Sequence, residues 1–178
     1  MTAGKKVIIN TETTGFSPKE GHKLVEIAAI AIDENDIQTG AVFHAYINPE
    51  RSMPKNVTEI HGLDYKFLKN YPPFAAYKDE FLHFIEGKEI IGHHVQFDMN
   101  FINNEVGFEL PNKVTDTLEM SRKIFPEQRN NLCALSKRLN IKIKHSPYNG
   151  ALLDVLYVCE VYKRLKNSCS INERTYND

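Results

Sequence analysis

The sequence predicts an α/β domain built on a mixed five-stranded sheet flanked by helices, and three patterns predict it. Three apolar, β-branched runs joined by short polar turns open the chain, the pattern of an antiparallel meander. In the second half, short apolar runs alternate with segments of helical periodicity, which argues for parallel pairing. The 178 residues, 42% of them hydrophobic, suit one core rather than two.

The first strand is Val7–Glu12. Side chains of a strand alternate between faces, so Asn10 and Glu12 point the same way at its end. An amide and a carboxylate placed together are half of an oxygen site for a hard divalent cation. The Thr13-Thr14-Gly15 turn follows and presents backbone N–H groups. Lys23–Asp33 reads as the second strand, where Glu26 is expected to be a paired or exposed carboxylate rather than a ligand. Ala41–Ile47 alternates as the third.

A proline-punctuated loop then leads to Val57–Leu63, a short helical turn ended by Gly62. Phe74, Tyr77, Phe81, Leu82 and Ile85 recur close to helical spacing within 73–86, with Gly87 as the stop, and form a core stripe. Glu89–Gly92 is a short buried strand and 93–102 a helix. Val114–Thr117 is a last strand entering a helix capped by Asp116 or Thr117. A polar loop over 122–131 precedes a helix bearing Leu132, Leu135 and Leu139. Residues 142–148 are basic and irregular, 150–165 form the final helix, and the domain covers 1–167, with 168–178 a frayed polar tail.

A formal net charge of −1 excludes a chain that holds nucleic acid along its whole length; any such contact must be local. Cys133, Cys159 and Cys169 are widely spaced, which argues against a disulfide framework or a zinc knot and fits a reducing cytosol. No apolar run approaches the roughly 20 residues that span a bilayer, and Met1–Lys6 runs directly into the first strand. The expectation is a soluble, cytoplasmic chain with no membrane partner.

The motifs, taken in order, resemble one family. Asn10-Thr11-Glu12-Thr13-Thr14-Gly15 is similar to Asp-x-Glu-Thr-Thr-Gly; His93-His94-Val95-Gln96-Phe97-Asp98 is similar to His-Asn-Ala-x-Phe-Asp; Asn149-Gly150-Ala151-Leu152-Leu153-Asp154 is similar to His-Gly-Ala-Leu-x-Asp. These are motifs of the DEDDh 3′-to-5′ exonucleases. Arg122-Lys123-x-Phe125-Pro126 and Arg129-Asn130-Asn131-Leu132 resemble the epsilon proofreading subunits of bacterial DNA polymerase III more than other members. The resemblance runs from about Val7 to about Leu165.

It implies a ribonuclease H-like fold, with the ligand crevice at the carboxyl end of the first strand. It also implies hydrolysis of the 3′-terminal phosphodiester of single-stranded or frayed DNA by two divalent cations, Mg²⁺ or Mn²⁺, releasing nucleoside monophosphates. The implied metal positions are Asn10, Glu12, Asp98 and Asp154; the implied catalytic positions are Glu12 and Asn149. Thr13, Thr14, His61 and Phe97 would surround the terminal nucleotide. The partners it implies are the 3′ end of single-stranded DNA and other polymerase III subunits, although epsilon subunits usually continue beyond the nuclease domain whereas this chain stops at Asp178.

Two positions depart from the family. Asn10 stands where the first metal-binding aspartate belongs, and Asn149 where the family has the histidine that takes a proton from water. Asn10 offers a neutral carbonyl oxygen, so occupancy of both cation sites should fall. Asn149 is no general base, and losing one costs roughly 10²–10⁴-fold in rate. His145 and Tyr148 do not keep the spacing to Asp154 and do not replace it. Asn149 also suits a helix N-cap before Gly150, while a short amide inside a β-branched strand is disfavoured unless its site needs it. A natural loss and a deliberate exchange of aspartate for its amide would leave the same Asn10. The expectation is a weakened or inactive exonuclease; the rival readings are a catalytically dead protein that binds nucleic-acid 3′ ends or replication partners, and a relative acting on short RNA.

Overall fold

A computed structural model of the chain describes residues 5–143 and 150–175. The sheet is laid down as expected. β1 (Lys6–Thr13), β2 (Leu24–Ile32) and β3 (Gln38–Tyr46) form an antiparallel meander, and β4 (Glu89–Gly92) and β5 (Val114–Asp116) add to the other edge of β1 in parallel. The order is β3-β2-β1-β4-β5, with β1 at the centre. Every residue of β2 is buried, as befits an inner strand covered on both sides.

Among the described residues seven α-helices join and cover the strands: α1 (Lys55–His61), α2 (Tyr65–Leu68), α3 (Lys78–Ile85), α4 (Val95–Val106), α5 (Thr117–Ile124), α6 (Leu132–Arg138) and α7 (Ala151–Thr175). They divide the core into two layers. Val7 and Ile9 pack with Phe81 and Ile85 of α3 and with Met99, Phe101 and Ile102 of α4. Ile8, Ala28 and Ile30 pack instead against Ala151, Val155, Val158 and Tyr162 of α7. The period of two then fixes the rest of β1: Asn10 and Glu12 share the α7 face, and Thr11 belongs to the α4 face.

Several boundaries differ from the sequence reading, each for a local reason. The stretch 73–86 is two pieces, a 3₁₀ turn at Phe74–Ala76 and then α3, with Tyr77 between them as the N-cap. The α4 helix begins at Val95, not at residue 93, because His94 takes a left-handed conformation (φ 63°) immediately before it. It then runs four residues further than the apolar repeat suggested, to Val106, with Gly107 as its C-cap. The α5 helix reaches Ile124, so Arg122 and Lys123 lie in its last turn rather than in a loop. The final helix continues to Thr175 and passes through the segment read as a frayed tail. The short α2 was not anticipated. Tyr148, His145 and Asn149, with the rest of 144–149, lie outside the described residues. No helix among the described residues is long and apolar enough to cross a membrane.

Candidate active site

The carboxyl end of β1 gathers most of the residues the motifs singled out. Glu12 lies opposite Glu26 of β2 in the ladder, and Asn10 opposite Ala28. On that face α7 begins at Ala151 and carries Asp154 in its first turn. On the opposite face Asp98, in the first turn of α4, is 3% exposed and accepts a 2.7 Å hydrogen bond from Thr11 Oγ1. Successive residues of one strand thus address carboxylates from two helices on opposite sides of the sheet.

All three carboxylates are held above their ordinary range. Burial, then the charges of Asp154, Glu26 and Asp98, push Glu12 up to about 8. Burial and the Glu26 charge push Asp154 up to about 6. Burial carries Asp98 up to about 7 against the opposing hydrogen bonds from Thr11. Desolvation and like charge both disfavour the ionised forms, and a bound cation reverses both effects. The donors are oxygen throughout, the chemistry that hard divalent cations require. Among the described residues no group of three His, Cys, Asp or Glu side chains completes an ion site. The neutral Asn10 stands on the same face as Glu12, where a further carboxylate would join the cluster.

The turn after β1 is tightly tied. Thr14 is fully buried; its hydroxyl lies 3.1 Å from His22 Nδ1 and accepts from Lys23 N–H, and its own N–H donates to the Lys23 carbonyl. Both groups are engaged inside the turn. Thr13 Oγ1 donates to the Gly15 carbonyl at 2.6 Å. Gly15 is required because a Cβ there would sit 2.3 Å from the His22 ring.

His61 ends α1 beneath this turn and is 5% exposed. Its Nδ1 accepts from Leu63 N–H at 3.1 Å, while Nε2 is buried without a hydrogen-bond partner of ordinary geometry. Burial lowers its pKa, opposed by the Thr13 backbone and the Glu26 charge, so the ring favours the neutral form. Phe97, one residue before Asp98, is partly buried between His94 (6.3 Å, stacked) and Phe101 (5.1 Å). Asn149 lies outside the described residues, but Gly150 and Ala151 place the helix that follows it.

Glu26 reads from the sequence as a paired or exposed carboxylate rather than a ligand. Its pairing matches the expectation, but it is 1% exposed and belongs to this site: Oε1 lies 2.7 Å from His44 Nε2, and Oε2 accepts from Ala151 N–H at 3.0 Å. The partners are 18 and 125 residues away, so no local motif announces them.

Comparison with known proteins identifies the family. The family described as "Exonuclease" matches residues 7–162. The chain is 42% identical over 174 residues to the DNA polymerase III subunit epsilon of Rickettsia conorii, covering 93% of this chain and 75% of that protein. It is 36% identical over 170 residues to the Escherichia coli subunit of the same name, covering 89% and 70%. Among solved structures it is similar to exonuclease X in complex with 5′ overhanging duplex DNA (TM-score 0.73, 20% identity, 91% of each chain). It is also similar to exonuclease I (TM-score 0.79, 20% identity, 92% of this chain and 41% of that one). These two likenesses concern the fold.

Proposed function

The chain belongs to the exonuclease family, as a 3′-to-5′ exonuclease of the epsilon type, and on that premise we propose how its residues work and how far they fall short. The substrate is the 3′ end of single-stranded or frayed DNA, and the product a nucleoside monophosphate. Glu12, Asp154 and the Asn10 carbonyl hold divalent cations on the α7 face, with Asp98 contributing from the α4 side. Bound there, Mg²⁺ or Mn²⁺ would supply activated water and charge neutralisation at the scissile phosphate. Phe97 and His61 pack against the terminal nucleotide, and the Thr13 turn fixes its approach.

Asn10 and Asn149 weaken this machinery. The first removes a negative charge from the cluster that must balance the cations; the second leaves the position before Gly150 unable to take a proton from water. Polymerase III subunits are the proposed protein partners and the cytoplasm the proposed location. The observation that supports the reading is that the charges of Asp154 and Asp98 both bear on Glu12 at the end of β1, the strand that also carries Asn10. A second reading, binding of 3′ ends without turnover, is favoured by the same two asparagines.

Product analysis tests the proposal. An oligonucleotide labelled at its 3′ end, given to an Asn10→Asp, Asn149→His variant with Mn²⁺, should release labelled mononucleotide first, and EDTA should stop it. Release from the 5′ end, or longer first products, would reject it.

A further inference from the structure

Glu26 has two partners that no metal role explains. A buried carboxylate is costly unless donors satisfy it, and here each oxygen has one. Oε1 lies 2.7 Å from His44 Nε2. Oε2 takes the N–H of Ala151, the first residue of α7. That N–H is among those a helix start leaves without an intrahelical acceptor, and a negative charge there also suits the helix dipole.

The neighbouring residue confirms how close the approach is. A Cβ on Gly150 would lie 2.7 Å from Oε2 and 3.1 Å from Oε1, so the chain passes the carboxylate only because residue 150 has no side chain. The Leu153 and Asp154 N–H groups then bond back to the Gly150 carbonyl at 3.0 and 3.2 Å. Glu26 therefore grips the turn from which Asp154 projects, and it does so from the strand position that faces Glu12. His44 holds the carboxylate from β3, with its ring set edge-on against Tyr46 at 4.9 Å and 73°.

We propose that Glu26, held by His44, is a positioning residue that anchors the start of α7 and so sets the distance between Asp154 and Glu12 needed to share a cation. This rests on the metal-site reading above. Glu26 itself acts as an acceptor for Ala151, not as a ligand.

The test compares Glu26→Ala and Glu26→Gln in the full chain, measuring Mn²⁺ affinity by calorimetry and amide exchange at residues 151–154. Groups that orient metal ligands typically cost 10–100-fold in affinity when removed. Glu26→Ala should therefore weaken Mn²⁺ binding by roughly 10–100-fold and speed exchange at 151–154. Glu26→Gln keeps an acceptor oxygen for Ala151 and should stay close to the unmodified protein in both. If Glu26→Ala lowers stability but leaves Mn²⁺ affinity and exchange unchanged, the proposal is wrong. It is equally wrong if Glu26→Gln loses Mn²⁺ as Glu26→Ala does, since charge or ligation would then be the role. Should Glu26→Ala not fold, His44→Ala, which frees the carboxylate from β3, should shift both readouts the same way, and no shift overturns the proposal. If the unmodified chain binds no Mn²⁺, the metal-site reading fails, and exchange at 151–154 alone decides the anchoring.

Discussion

Glu12 and Glu26 face each other across the β1–β2 ladder, on the side of the sheet that α7 covers. One is satisfied by His44 and Ala151; the other is burdened by every carboxylate around it. On that asymmetry rests the proposal that Glu26 serves architecture and Glu12 a cation, and the proposal makes the site sensitive to pH and to metal.

Without a cation, stability should fall as pH rises. The folded-state values of Glu12, Asp98 and Asp154, about 8, 7 and 6, lie above their ordinary 4.5, 3.8 and 3.8. Between these limits the folded chain binds more protons than the unfolded one, so the contribution is intact below the ordinary values and is lost as pH climbs to about 8. Thermal melts in EDTA and in Mn²⁺ should diverge with pH, the Mn²⁺ stabilisation being greater at pH 8 than at pH 5. Parallel curves would mean that the carboxylates do not share a cation.

Thr11 supports Asp98 through one hydroxyl. Replacing it by valine keeps the shape and removes the 2.7 Å bond, leaving a buried acceptor short of a partner. A loss of about 1–3 kcal/mol in urea unfolding is expected. Unchanged stability would show that Asp98 is satisfied in some other way.

The nucleotide-facing role proposed for Phe97 and His61 can be read without turnover. Phe97→Ala and His61→Ala should each weaken binding of a fluorescent single-stranded oligonucleotide to the unmodified chain, with a loss of about 1–3 kcal/mol where a base stacks on Phe97. Thr14→Val, by contrast, should lower stability, because the Thr14 hydroxyl serves His22 and Lys23 inside the turn. A binding loss at Thr14 without a stability loss would restore it to the substrate site.

What could be read from the sequence was what local pattern encodes. The β1 run, the β4 strand and the Asp116 cap of α5 follow from alternation, burial and side-chain chemistry within a few residues. Three features lie outside such local patterns. Glu26 reads like any strand carboxylate until β3 and α7 arrive beside it. Thr14 reads like a free hydroxyl until His22 folds over Gly15. The α7 helix runs on past Leu165, where its apolar stripe ends, to Thr175.

The central claim is that the frame of a 3′-to-5′ exonuclease is intact here and that two asparagines hold it back. The most direct measurement is the rate of mononucleotide release from a 3′-labelled single-stranded oligonucleotide in Mn²⁺, for the unmodified chain beside Asn10→Asp, Asn149→His. The account predicts that the double variant is faster by at least the roughly 10²–10⁴-fold that a general base supplies. Equal rates in the two proteins would contradict it, because another residue would then be doing the work assigned to the missing carboxylate and base.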